Sequence, residues 1–131
     1  MARVFKTKSF ARDARKARIR DDELCRVISK AAQGQITDLG GRVFKARLNK
    51  NAYRSIILAR GRGDRWFYQY LFAKKDRENI DEDELEAFRL LADGYAKVTG
   101  TALKALIRNG DLIEICRTEE DEENDDEAEN K

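Results

Sequence analysis

After Gly40-Gly41 the apolar residues stop recurring every three to four positions and begin to alternate, so the chain changes from helix-like to strand-like patterning at that point. In Arg42 to Leu48, Phe44, Ala46 and Leu48 fall on one side and Val43, Lys45 and Arg47 on the other, as a half-buried strand requires. Asn49, Lys50 and Asn51 form a short polar turn into Tyr53 to Arg60, which is rich in β-branched and large apolar residues. Gly61-Arg62-Gly63-Asp64 turns the chain again. Arg65 to Ala73 is apolar on both sides, which suits the middle of a sheet. Three strands joined by two short turns make an antiparallel meander.

The flanks read as helices. Arg3 to Lys6 allows one short strand, and a helix capped by Ser9 carries Phe10, Ala14 and Ala17 on one stripe. A second helix, capped by Asp21 or Asp22, places Leu24, Val27, Ile28, Ala31 and Ala32 at helical spacing and stops at Gly34. After the charged stretch Lys74 to Asn79, Asp81 and Glu84 give an Asp-x-x-Glu capping pattern for a helix whose stripe is Leu85, Phe88, Ala92 and Tyr95. Thr101 to Arg108 is a further helical segment, and Leu112, Ile113 and Ile115 allow a last short strand. The expected class is α+β: an antiparallel sheet with an N-terminal helical pair and C-terminal helices packed on it.

Charge divides the chain unevenly. The formal net charge is only +2, but residues 118 to 131 hold nine of the 25 acidic side chains and one of the 27 basic ones. Residues 1 to 117 are therefore read as one domain with a net charge of +10, and 118 to 131 as an acidic disordered tail. So basic a domain expects a polyanion or an acidic partner. The tail is either a solubilising end or an intramolecular competitor for the cationic face. No window approaches a membrane span and the N-terminus lacks a signal-peptide apolar centre, so the expected location is cytoplasmic. Cys25 and Cys116 are read as small core residues.

The chain contains no histidine, which removes the usual general base, the Ser-His pair and most zinc chemistry. No metal or other cofactor is expected. Chemistry falls to Lys, Arg, Tyr and carboxylates. Strand alternation puts Lys45 and Arg47 on one face, about 7 Å apart. Arg54, Lys74, Lys75 and Arg77 can converge there as a phosphate-binding cluster, with Tyr53 close enough in sequence to stack on a base. Fixed cations of this kind stabilise a pentacovalent phosphorane and align a 2′-hydroxyl. The bland alternative is the solvated side of a sheet. Trp66, Tyr68, Tyr70 and Phe72 are read as core rather than a base-stacking platform, the cations of Arg12 to Arg20 as a solvated helix face or a contact to ribosomal RNA, and Asp76 and Glu78 as groups that weaken anion binding locally or hold neighbouring cations in place.

Val43-Phe44-Lys45-Ala46-Arg47-Leu48, then Tyr53-Arg54, and later Phe72-Ala73-Lys74-Lys75-Asp76-Arg77-Glu78-Asn79-Ile80 together resemble the signature of the RelE/HigB-like toxins of type II toxin–antitoxin systems. The start Lys6-Thr7-Lys8-Ser9-Phe10-Ala11 resembles one branch of that family, and the likeness covers most of residues 2 to 116. The resemblance implies a RelE-like fold and a metal-independent endoribonuclease that cuts mRNA in the ribosomal A site and is silenced by a cognate antitoxin, expected to be a helix-turn-helix protein. By position, Lys45, Arg47, Arg54 and Lys75 match catalytic cations of the family, with Lys75 in the place assigned to leaving-group protonation or phosphorane stabilisation. Tyr53, Lys74 and Arg77 are the expected RNA contacts. One departure is clear: where some relatives carry a tyrosine just after the last motif, this chain has Asp81, which the capping pattern also claims. Two rival readings are a catalytically silent RNA- or ribosome-binding relative and a basic module that binds only an acidic protein.

Overall fold

The computed structural model describes residues 2–59 and 65–117. The turn expected at Gly61 to Asp64 and the acidic segment from Thr118 lie outside the described residues. The elements in chain order are β1 (Arg3–Thr7), α1 (Lys8–Lys16), α2 (Asp21–Ala32), β2 (Thr37–Gly40), β3 (Val43–Leu48), β4 (Tyr53–Ala59), β5 (Arg65–Ala73), α3 (Glu82–Ala96), α4 (Gly100–Arg108) and β6 (Leu112–Ile115). They form a six-stranded sheet in the order β2-β3-β4-β5-β1-β6, an α+β fold. The β3-β4-β5 meander is antiparallel as expected, but β1 joins β5 in parallel, so the sheet is mixed. Strand β5 lies between β4 and β1, and helices cover both faces, which is why its residues are apolar on both sides.

The two helical pairs take opposite faces. Phe10 and Ala14 of α1 and Leu24, Val27 and Ile28 of α2 pack with Ala46, Leu48, Ile57, Trp66 and Tyr68. Leu85, Phe88, Ala92 and Tyr95 of α3 and Leu103 of α4 pack with Val43, Ile56, Leu58, Phe67 and Phe72. Arg89 fixes α3 over the β2–β3 turn by donating to the Leu39 carbonyl at 2.7 Å. A Cβ built on Gly41, whose φ is +63°, would come within 2.6 Å of the Arg89 side chain, so glycine is needed there on two counts. Among the described residues, no helix is long and apolar enough to cross a membrane.

Several local expectations are corrected. Helix α1 is capped by Thr7, not Ser9: the Phe10 N–H donates to Thr7 Oγ1 at 3.1 Å. Arg20 occupies the N-cap of α2 without a side-chain cap bond, and Asp21, Asp22 and Glu23 instead fill its first turn, where negative charge meets the helix dipole. Strand β2 was not anticipated. The cysteines are not separate core residues: Cys25 on α2 and Cys116 just after β6 form a disulfide, with Cys116 exposed. Strand β6 returns along β1, which brings the two cysteines, 91 positions apart, to a Cα–Cα distance of 5.5 Å.

A bulge in β5 matters most for the site. Ile56 pairs with Tyr70 and Ile57 with Tyr68, so Gln69 is an extra residue on β5. Trp66 and Tyr68 therefore face the α1/α2 side, whereas Tyr70 and Phe72 face the α3 side. Trp66, Tyr68 and Phe72 are buried core, as expected, and half-buried Tyr70 packs against the second of two cores rather than within a single one. Tyr68 is fully buried and donates to the Leu24 carbonyl at 2.7 Å. Burial, with the Glu23 charge as the lesser cause, raises its pKa well above that of a free phenol.

Candidate functional site

Alternation along β3 puts Lys45 and Arg47 on the α3 side of the sheet, the side of Val43. Exposure rises along this row: Val43 is buried, Lys45 partly exposed and Arg47 exposed. In the β3–β4 ladder Lys45 stands opposite Ile56 and Arg47 opposite Arg54. That register depends on the turn, where Asn49, Lys50 and Asn51 have φ values of 51°, 52° and 76°. Three successive left-handed non-glycine residues are uncommon, and asparagine tolerates that region better than most. The turn is tied at both ends. The Asn49 N–H donates to the Glu23 carboxylate at 2.5 Å, and Arg54 Nη1 donates to the carbonyls of Asn51 and Tyr53 at 3.0 and 3.1 Å.

Thr37, Lys45, Ala46, Arg47, Arg54, Lys74 and Glu78 line a cleft of about 230 Å³. Four of these seven residues are cations, from β3, β4 and the loop after β5. Their charges converge although the sequence spreads them over thirty positions. Strand β2 pairs with β3 only as far as Thr37 opposite Lys45, so among the described strands none pairs with this edge of β3 from Ala46 onward. A second cavity of about 300 Å³ adjoins there, sharing Thr37, Lys45, Ala46 and Arg47 and extending to Lys30 of α2 and to Gln35. The combined depression is open, cationic and bordered by a free strand edge, which suits an extended polyanion better than a compact apolar ligand.

Arg54 is only 8% exposed, so its guanidinium is a built part of the cleft wall, held by two backbone carbonyls. Lys74 and Lys75 are both exposed, but only Lys74 lines the cleft. Arg77 lies elsewhere. It donates to the Asn79 carbonyl at 2.9 Å, makes a two-point contact with Glu84 at 3.1 and 2.5 Å, and covers the Phe72 ring at 5.6 Å. The Glu84 hydrogen bond raises the Arg77 pKa, and the same bond holds Glu84 below the ordinary carboxylate range. Tyr53 pairs with Leu48 and packs with the α1/α2 core, on the other face of the sheet from Arg54.

Asp81 is the N-cap of α3. It accepts from the Glu84 N–H at 2.8 Å while the Glu84 carboxylate accepts from the Asp81 N–H at 3.0 Å, a complete capping box. Glu78 behaves differently from what the sequence suggested. It holds no neighbouring cation, since it makes no ion pair within 4.0 Å among the described residues, yet it is the one carboxylate that lines the cleft. Thr37 was also missed, because it belongs to a strand without an alternating pattern.

No curated protein and no solved structure matches the chain. A family model described as the RelE toxin of the RelE / RelB toxin–antitoxin system matches residues 2–115, so the chain belongs to that family of toxins, whose members pair with antitoxins.

Proposed function

We propose that this toxin is a metal-independent endoribonuclease that cuts mRNA on the ribosome. The observation that carries the proposal is the convergence of Lys45, Arg47, Arg54 and Lys74 on one cleft beside an open strand edge. A phosphodiester bound there gains charge-assisted hydrogen bonds that strengthen as its equatorial oxygens acquire charge. The 2′-oxygen attacks phosphorus, the P–O5′ bond breaks, and the products are a 2′,3′-cyclic phosphate and a 5′-hydroxyl. Lys45, Arg47 and Arg54 stabilise the phosphorane. The leaving oxygen takes its proton from the loop after β5, from Lys75 by family position or from Lys74 by its place in the cleft. Arg77 and Tyr53 touch RNA outside the cleft, Arg77 beside Glu84 and Tyr53 from the opposite face of the sheet. Translated mRNA and the ribosome make the cytoplasm the place of action, and the cognate antitoxin silences the toxin there.

Purified protein is to be incubated with mRNA on programmed ribosomes and with the same RNA free in solution. Cleavage on the ribosome, lost in Lys45→Ala, Arg54→Lys and the paired Lys74→Ala/Lys75→Ala variant, is the expected result. Salt-sensitive binding without cleavage would favour the catalytically silent relative. No RNA or ribosome affinity at any salt concentration would leave only the module for an acidic protein.

A further inference from the structure

We propose that Glu78 is the general base that removes the 2′-hydroxyl proton. This rests on the endoribonuclease reading of the same cleft. Attack by the 2′-oxygen requires a proton acceptor, and protonated Lys45, Arg47, Arg54 and Lys74 have no lone pair to offer. The remaining polar side chains lining the cleft are the hydroxyl of Thr37 and the carboxylate of Glu78. Exposed Asp76 does not line the cleft, and three further acceptors are committed elsewhere. Asp81 caps α3, Glu84 is bound to Arg77 and to the Asp81 N–H, and Tyr68 is buried on the Leu24 carbonyl. The chain has no histidine.

Glu78 also sits where a base can be held without being consumed. On one side Arg77 is fixed by Glu84 and by the Asn79 carbonyl. On the other, the Ile80 N–H donates to Asn79 Oδ1 at 2.9 Å and the Ile80 side chain is buried. The neighbours of Glu78 in the chain are therefore held on both sides, while Glu78 itself is exposed and its carboxylate makes no ion pair among the described residues. An unengaged carboxylate in a cationic cleft, between neighbours that are held, is an arrangement that suits general-base catalysis.

In the step itself, the Glu78 carboxylate takes the 2′-hydroxyl proton as the O2′–P bond forms. The electron pair of the breaking P–O5′ bond stays on O5′, which takes a proton from the ammonium of Lys74 or Lys75. Glu78 is left protonated and that lysine neutral, and exchange with water restores both.

The test is single-turnover cleavage of ribosome-bound mRNA across a pH series by wild type, Glu78→Gln and Glu78→Asp, with RNA affinity measured on the same proteins. Glu78→Gln is expected to slow cleavage about 100-fold and to lose the acid limb of the rate profile. It should bind RNA as tightly as wild type or more tightly, because a negative charge leaves the cleft. Glu78→Asp should keep the acid limb at a reduced rate. Cleavage by Glu78→Gln within about threefold of wild type, with its acid limb intact, overturns the proposal and leaves the endoribonuclease reading standing. A loss of rate that is equal at every pH and follows a loss of RNA affinity also overturns it. Wild type that cuts no mRNA removes the endoribonuclease reading itself, and this proposal with it.

Discussion

Arg47 and Arg54 stand directly opposite each other in the β3–β4 ladder, two guanidinium side chains on one face of the sheet. Like charges in that position oppose folding, by a few tenths of a kcal/mol to about 1 kcal/mol. A polyanion across the face reverses the sign. Arg47→Ala is therefore expected to leave stability unchanged or raise it by up to about 0.5 kcal/mol, since Arg47 is exposed. The same change should lower RNA affinity and reduce the slope of log affinity against log salt by about 1. Urea denaturation and a salt titration of RNA binding measure the two effects. Loss of both stability and affinity would mean that Arg47 supports the fold rather than the ligand.

The buried Tyr68 allows the aromatic strand to be tested in the opposite sense. Tyr68→Phe leaves the Leu24 carbonyl without its donor and should cost about 1 to 2 kcal/mol. RNA cleavage at a temperature where the variant stays folded should match wild type. A cleavage defect without a stability defect would place this residue in contact with RNA instead.

How far these roles could be read from sequence depends on what each one rests on. The meander and the shared face of Lys45 and Arg47 follow from alternation, which a local pattern reveals. Strand β2 has no such pattern: Thr37 and Asp38 are both exposed, and its register with β3 shifts between Asp38 and Gly40. The Gln69 bulge leaves no local sign either, because Trp66, Tyr68, Tyr70 and Phe72 continue to alternate in sequence while the backbone changes face between them. The cluster of Arg54 with Lys74 depends on two such long-range facts, the β3–β4 register and the exit of the chain from β5. Asp81 had two competing sequence readings, and its capping box supports the structural one.

Acid should weaken the start of α3. Glu84 has a lowered pKa in the folded protein, chiefly through its hydrogen bond with Arg77. Below the unfolded carboxylate value of about 4.3, the unfolded chain binds a proton that the folded chain still refuses. Stability supplied by Glu84 is thus fully present above that value and is lost as pH falls through the folded pKa. Denaturation midpoints followed into acid should show this decline in wild type and a shallower one in Glu84→Gln. Asp81→Ala, which removes the cap, should cost about 1 kcal/mol at neutral pH and leave cleavage intact. A cleavage defect in a folded Asp81→Ala variant would make Asp81 a participant in the chemistry.

The Cys25–Cys116 disulfide closes a sequence separation of 91 residues between α2 and the end of β6. On the chain-entropy account, a loop of that size contributes about 4 to 5 kcal/mol by restricting the unfolded chain. In the cytoplasm proposed as this toxin's place of action, thiol reductants would work against such a bond, and exposed Cys116 gives a reductant a point of attack. Wild type in excess dithiothreitol and the Cys25→Ser/Cys116→Ser variant should therefore show the same lowered denaturation midpoint, well below that of oxidised protein. Cleavage should persist in both where they remain folded, because the cationic cleft is built from β2, β3, β4 and the loop after β5. Equal midpoints with and without reductant, in protein whose mass shows the bond present, would mean that the cross-link constrains the unfolded chain far less than its length implies.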